Sequence, residues 1–167
     1  KGDGHFLHGD CDHSTSPIGD GHGKSMCPPI VDIVSSFRVF HLNINGFDSH
    51  AHLLDALLTL HDFPEFVALT ETHLIPNVVK DIELSKYKLV SRRDRPDARG
   101  WGGVALVARA DVHANVVLIN ESDSIEAVWH TLHCDIGPVL LGVWYRRPNP
   151  GEIASVESFD RELEAHS

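Results

Sequence analysis

Four apolar residues in a row, Phe66-Val67-Ala68-Leu69, run straight into Thr70-Glu71-Thr72-His73. A short apolar run of this kind reads as a strand buried on both faces, which belongs in a parallel or mixed sheet covered on both sides. Glu71 falls where that strand ends. In open α/β sheets, ligands bind outside the carboxyl ends of the strands. A carboxylate at the edge of a core is costly unless something compensates its charge. A divalent metal would do so, and so would a neighbouring arginine. The run alone leaves both open.

The remaining composition narrows the class. The 167 residues are 42% apolar, which suits one domain with a real core and argues against wholesale disorder. No apolar stretch approaches the ~20 residues of a membrane-spanning helix. The net charge of −10 excludes a basic coat that binds nucleic acid nonspecifically. It leaves room for an enzyme that grips phosphate through a local basic patch and a metal. Cys11, Cys27 and Cys134 are odd in number, widely spaced and form no CxxC pair, so neither a disulfide framework nor a zinc ribbon is indicated. That usage fits a reducing, intracellular setting. The chain begins at Lys1 without a signal peptide, and the expectation is that its numbering starts inside a longer product.

Residues 1–36 are dominated by Gly, His, Asp, Ser and Pro and lack periodicity, so they read as a flexible leader. Gly23-Lys24-Ser25 imitates the end of a phosphate loop. The glycine required five positions earlier is Ile18, and Pro28-Pro29 block the helix that must follow. His5, His8, Cys11, His13 and His22 are metal-binding residue types whose spacing matches no common zinc site. A solvated tail accounts for them.

From Phe37 the pattern sharpens. Arg38, Phe40, Leu42 and Ile44 alternate with Val39, His41, Asn43 and Asn45, which predicts a strand. Asp48-Ser49 opens a helix whose leucines at 53, 54, 57, 58 and 60 form an apolar stripe ending before Pro64. The strand that leads to Glu71 follows, so the first unit is strand–helix–strand with a parallel pair. Asn43 and Glu71 then lie at the same sheet edge. Residues 87–92, 101–109, 114–120, 125–133 and 139–145 read as further strands, with a hairpin turn at Asp135-Ile136-Gly137-Pro138. A short acidic helix begins near Glu152. The predicted class is α/β with mixed sheets. Arg92, Arg93, Arg95 and Arg99 form the basic patch of the chain, next to Trp101-Gly102-Gly103. Asp94 and Asp97 partly cancel it, yet arginine beside tryptophan and glycines suits phosphates and stacked bases.

Three sheet-end motifs now stand in order: Leu42-Asn43-Ile44-Asn45-Gly46, Leu69-Thr70-Glu71-Thr72 and Trp144-Tyr145-Arg146-Arg147-Pro148-Asn149. Arg92-Arg93-Asp94-Arg95 and Gly102-Gly103-Val104-Ala105-Leu106 lie between the second and third. As an ordered set, from Phe37 to about Phe159, they resemble the endonuclease/exonuclease/phosphatase superfamily. Within it, they are most similar to the apurinic-endonuclease-like domain of non-LTR retrotransposon polyproteins. The resemblance implies a four-layer αββα sandwich with mixed β-sheets, and a metal-dependent phosphodiesterase site at one rim. It implies that Glu71 binds Mg²⁺, or Mn²⁺ in its place, and that Asn45 lies near the metal. Asn43 and Tyr145 would contact the reacting phosphate. Arg146, Asn149, Arg92, Arg93 and Arg95 would serve the substrate. The implied partner is the DNA phosphodiester backbone, in an intracellular, nuclear setting and in a product linked to a reverse transcriptase.

Two departures stand against this. Arg147 occupies a position where the retroelement relatives usually carry a second proline. The Gly-Asp-x-Asn and Ser-Asp-His motifs that complete the family's catalytic set do not occur in these residues. Residues 37–167 therefore read as an incomplete, front portion of the domain, expected to be inactive alone. Two alternatives remain: a phosphatase or phospholipid hydrolase on the same scaffold, and a non-catalytic gene remnant or binding fragment.

Overall fold

In the computed structural model of the chain, the alternation after Phe37 becomes β1 (Val39–Asn43), and the glycine that follows starts α1 (Phe47–Leu60). The structure describes residues 36–76, 82, 84–95, 100–123, 125–146 and 153–167, with the side chains of 153–155 left aside. The leader expected over residues 1–36 thus lies, save for Ser36, outside the described residues. Asp48 stands in the first turn of α1, where its charge complements the helix dipole. The helix stops in a reversal: Asp62 and Phe63 are left-handed, and Phe63 N–H donates to the Leu58 carbonyl at 2.9 Å, just ahead of Pro64. Of the leucine stripe, Leu54 and Leu58 are buried, four residues apart on one face, whereas Leu53 and Leu60 are exposed.

The apolar run forms β2 (Phe66–Thr70), and every residue of it is buried. Val67 and Leu69 point to α1, where they join Leu54 and Leu58 in one core. Phe66 and Ala68 point the other way into a second core. The double burial explains why this strand shows no polar alternation. Its neighbour β4 (Val104–Arg109) divides likewise, with Ala105 and Val107 toward α1 and Val104, Leu106 and Ala108 away from it. With β3 (Tyr87–Arg93) these strands form a sheet of order β1-β2-β4-β3. β1 and β2 run parallel, and the other pairs are antiparallel. The sheet is mixed, as the strand–helix–strand reading requires.

A single 3₁₀ turn, His113–Asn115, leads into the second sheet. It consists of β5 (Val116–Glu121), β6 (Glu126–Cys134) and β7 (Gly137–Tyr145) in that order, all antiparallel. Cys134 faces Gly137 across a two-residue turn at Asp135-Ile136. Val128, Leu132 and Val143 pack against Phe66 and Leu106 of the first sheet. Between the sheets, Ser91 Oγ and His130 Nε2 meet at 2.7 Å, where His130 is fully buried. The outer face of the second sheet is covered by α2 (Ile153–His166). Phe159 stacks on Trp144 at 4.2 Å and on Trp129 at 5.4 Å. Glu162 accepts hydrogen bonds from Trp129 Nε1 at 2.8 Å and from the Ser122 hydroxyl. Gly142 leaves the room for Trp129, since a Cβ there would come within 2.6 Å of the indole. The layers are therefore helix, sheet, sheet, helix: an α/β sandwich. Among the described residues, no helix is long and apolar enough to cross a membrane.

Candidate active site at the rim of the first sheet

Parallel pairing sets Asn43 opposite Thr70, so β1 and β2 end at the same rim. The register continues across β4 and β3, where Thr70 faces Val104 and Val104 faces Arg93. Asn43, Thr70, Val104 and Arg93 thus form one row across the sheet, with strands about 4.8 Å apart. Beyond this row the backbone leaves the extended region. Asn45, Glu71 and His73 have φ of 48°, 53° and 57°. Left-handed conformations cost a non-glycine residue roughly 1–3 kcal/mol each and persist only where the surroundings impose them. Here loop 44–47 is bound to loop 70–72: Ile44, Gly46 and Phe47 donate their N–H groups to the Thr70, Glu71 and Thr72 carbonyls at 2.8–2.9 Å. On the other side, His73 N–H donates to the Gly102 carbonyl at 2.9 Å.

The reversal at Glu71 turns its side chain to the rim, where it is 23% exposed. There it meets Tyr145, which arrives on the end of β7, 74 residues further along the chain. The Tyr145 hydroxyl donates to Glu71 Oε1 at 2.5 Å. The Asn43 side chain also hydrogen-bonds the carboxylate. Its Oδ1 accepts the Asn45 N–H at 3.2 Å, which fixes the amide plane. His73 Nε2 lies 3.8 Å from Glu71 Oε2. The Tyr145 hydroxyl holds the Glu71 carboxyl below the usual carboxylate range, burial opposes it, and Asn43 and His73 add to the lowering. Glu71 is accordingly an anion near neutral pH, held by neutral donors.

The structure therefore brings Asn43, Glu71 and Tyr145 together, with Asn45 one residue beyond Ile44 on the same loop. Arg93 stands at the same rim. Its guanidinium lies 3.9 Å from Asp123, whose side chain is fully exposed, and such surface pairs are worth little. Arg92 is different: it pairs at 3.1 Å with Asp94, whose side chain is only 5% exposed. Burial pushes the Asp94 carboxyl up, while Arg92 and Arg93 pull it down. Arg95 follows in the same segment and is half-buried. Arg146 follows Tyr145 and is exposed. Asn149 lies outside the described residues.

One residue of the rim carried no motif. Glu126 opens β6, faces Tyr145 in the register and is 7% exposed. Its Oε2 accepts the Gly103 N–H at 2.7 Å. The Gly102 and Gly103 carbonyls in turn accept the N–H groups of His73 and Thr72. Glu126 thus ties the second sheet to the two residues that follow Glu71. Gly102, at φ +73°, fits because any Cβ there would collide with the Glu126 carboxylate. Thr72 Oγ1, buried in the same place, finds no hydrogen-bond partner. The signal for Glu126 was present, since it is a lone carboxylate in the apolar run Ile125–Trp129.

No protein-family model and no curated protein matches the sequence. Among solved structures, the crystal structure of the AP endonuclease LMAP from Leishmania major is similar at a TM-score of 0.56 and 18% identity. The likeness covers 76% of this chain and 46% of the neighbour, so the chain spans less than half the length of the protein it resembles. At that identity the likeness concerns the fold, and it agrees with the layers described above. The matched part of the chain shares the fold of that AP endonuclease, and Glu71, Asn43 and Tyr145 gather at one rim of its sandwich.

Proposed function

We propose that the chain carries the front portion of a metal-dependent phosphodiesterase domain that nicks DNA, in the retroelement branch of the superfamily. The observation that carries this reading is the Tyr145–Glu71 contact, made across two sheets on a strained backbone. Strain of that kind clusters where function requires a fixed geometry. The sandwich and the AP endonuclease neighbour support the same class.

The donor set suits Mg²⁺ or Mn²⁺. Glu71 is ionised, its Oε2 is not taken by Tyr145, and the Asn43 and Asn45 amide oxygens are hard donors nearby. Among the described residues there is no cluster of three acidic, histidine or cysteine side chains, so such an ion would keep several waters, as Mg²⁺ prefers. The ion would supply charge stabilisation to the phosphate oxygens. The protein's own contribution is orientation. Tyr145 and Asn43 hold Glu71 in one rotamer, and Arg93 and Arg146 offer guanidinium groups to the flanking phosphates. We further place the group that activates the attacking water in sequence beyond Ser167, and a reverse transcriptase in the same product.

A plasmid-nicking assay in Mg²⁺ tests this, on the 167-residue chain and on a form extended with its in-frame downstream sequence. The extended form should nick, Glu71→Ala should lower the rate at least about 100-fold, and Tyr145→Phe about tenfold. The short form should show little activity. Nicking that survives Glu71→Ala, or hydrolysis of phosphomonoesters or phospholipids in place of DNA, would remove the reading.

A further inference from the structure

Among the described residues, Trp101 is the Phe, Tyr or Trp side chain that the fold leaves most exposed. Trp129 and Trp144 both stack on Phe159 beneath α2, whereas Trp101 is 64% exposed. An indole can bury 150–250 Å², so leaving most of it in water forgoes one of the larger burial terms available to any residue. Its surroundings do not treat it as a loose surface residue. Gly100, Gly102 and Gly103 around it have φ of 66°, 73° and 85°. The Gly102 and Gly103 carbonyls are bound to His73 and Thr72, and Gly103 N–H is bound to Glu126. The same hydrogen bonds that fix the backbone after Glu71 therefore fix the loop that bears Trp101. The indole meets the His73 ring edge-on, at 5.3 Å and 62°. His73 is in turn the residue beside the Glu71 carboxylate. Trp101 thus stands one ring away from the carboxylate, exposed but held.

We propose that Trp101 is a nucleobase platform: it stacks an unpaired base next to the phosphodiester that Glu71 and Tyr145 address. This rests on the phosphodiesterase reading and deepens it, because it selects the substrate class. A base can lie on the indole only if it has left its own stack. The site then takes single-stranded or locally opened DNA in preference to regular duplex. Charge points the same way. A chain of net charge −10 repels an extended polyanion, and among the described residues Arg93 and Arg146 are the cations argued to face this rim. Stacking does not depend on charge and is sequence-tolerant, and it can supply the affinity that the phosphates do not.

The test uses the purified 167-residue chain, with Trp101→Ala and Trp101→Phe, in Mg²⁺. Three labelled probes are titrated by anisotropy: a short oligodeoxythymidylate, a strand of equal length made of abasic nucleotides, and the oligodeoxythymidylate paired in duplex. Tryptophan emission is followed in parallel. The thymidylate strand should bind at least about fivefold tighter than the abasic strand and quench the emission component that Trp101→Phe removes. Trp101→Ala should lose that advantage while binding the abasic strand as before, and Trp101→Phe should keep most of it. The duplex should bind more weakly than the single strand. Equal binding of thymidylate and abasic strands, no response to Trp101→Ala, or tighter duplex binding would each overturn the proposal and leave the phosphate site standing. If no probe binds, the phosphodiesterase reading falls and the platform with it. Trp101 is exposed, so its variants should keep the wild-type near-ultraviolet dichroism of the buried Trp129 and the half-buried Trp144.

Discussion

Strand β2 is bracketed by two glutamates, Glu65 before it and Glu71 after it, and the protein treats them in opposite ways. Both side chains are largely covered, at 11% and 23% exposure. Glu65 accepts from the Arg38 backbone N–H at 2.8 Å, from Arg38 Nε at 3.2 Å and from Arg109 Nη1 at 2.8 Å. Burial pushes its carboxyl up, but the hydrogen bonds from Arg38 and Arg109 outweigh burial and bring it down to about 2. Arg109 also holds Asp111 at 2.7 Å, so the charges at this end form a closed network. Glu71 has a tyrosine hydroxyl, an asparagine amide and a histidine, and among the described residues no guanidinium or ammonium group. One carboxylate is neutralised by its own protein and the other is left negative at a sheet rim. The first is what a stabilising ion pair looks like, and the second is the carboxylate to which the proposed function gives a cation.

The contrast predicts its largest effect at the closed end. Glu65→Ala should cost about 3 kcal/mol in urea unfolding, because it takes the covered carboxylate from Arg38 and leaves Arg109, beside the Phe63 carbonyl, with only the exposed Asp111. The half-exposed Arg38 can rehydrate, which keeps the loss below that of a fully buried pair. A loss under about 1 kcal/mol would mean that the network is ornamental, and the contrast would collapse.

Acid should separate the two regions next. The folded Glu65 carboxyl, at about 2, lies below the 4.5 of an unfolded chain. Its contribution is therefore fully present above pH 4.5 and is lost as pH falls toward 2, amounting to about 3 kcal/mol. His130 acts in a higher window. Burial lowers its folded value from 6.5 to about 4, so the unfolded chain takes up the proton first, and stability falls from pH 6.5 downward. Glu65→Gln should flatten the lower window of the stability–pH curve and leave the upper one. Flattening of both, or of neither, would show the assignment to be wrong.

Glu126 sharpens the comparison, because it sits at the Glu71 rim but behaves like Glu65. It is buried and its role is to accept the Gly103 N–H. Glu126→Gln should cost about 1–2 kcal/mol, as expected when the buried acceptor of a backbone N–H is replaced by an amide. It should also weaken Glu71-dependent nicking in the extended form several-fold, since the Gly102-Gly103 turn holds His73 and Thr72. A variant with unchanged nicking would confine Glu126 to a structural role.

Much of this was legible before any coordinates. The unbroken apolar run of Phe66–Leu69 implied a doubly covered strand, and strand–helix–strand order implied the parallel pair that aligns Asn43 with Thr70. These are local patterns and one chirality rule. What stayed hidden depended on partners far away in sequence. Nothing near Arg92 and Arg93 reveals that the first turns inward to Asp94 and the second outward to the rim. The left-handed backbone at Asn45, Glu71 and His73 is imposed by loops that meet only when the sheet has formed. Five leucines suggested a wide stripe on α1, but only Leu54 and Leu58 are fully buried, because one sheet face covers less than half of a helix. Glu126 shared the signal that singled out Glu71, a carboxylate in an apolar stretch, and lacked only the position at a strand's carboxyl end.

The smallest expected effect is the most discriminating. Glu71→Gln should change unfolding stability by less than about 1 kcal/mol, in contrast to Glu65→Gln. The amide oxygen of glutamine can still accept the Tyr145 hydroxyl, so the link between the two sheets survives. What disappears is a negative charge that burial opposes and that only neutral donors and His73 support. Losing such a charge relieves desolvation by about as much as it sacrifices in hydrogen-bond strength. Glu65→Gln has no such compensation, because Arg38 loses its counter-charge and Arg109 is left with Asp111 alone. Matched urea titrations of the two variants at neutral pH provide the measurement. If Glu71→Gln costs as much as Glu65→Gln, then Glu71 is a structural carboxylate and the rim loses its claim to be a metal-binding site. If it costs nothing in stability yet abolishes nicking in the extended form, the charge at Glu71 is kept for something other than folding. A cation bound in service of a phosphate is the use we propose for it.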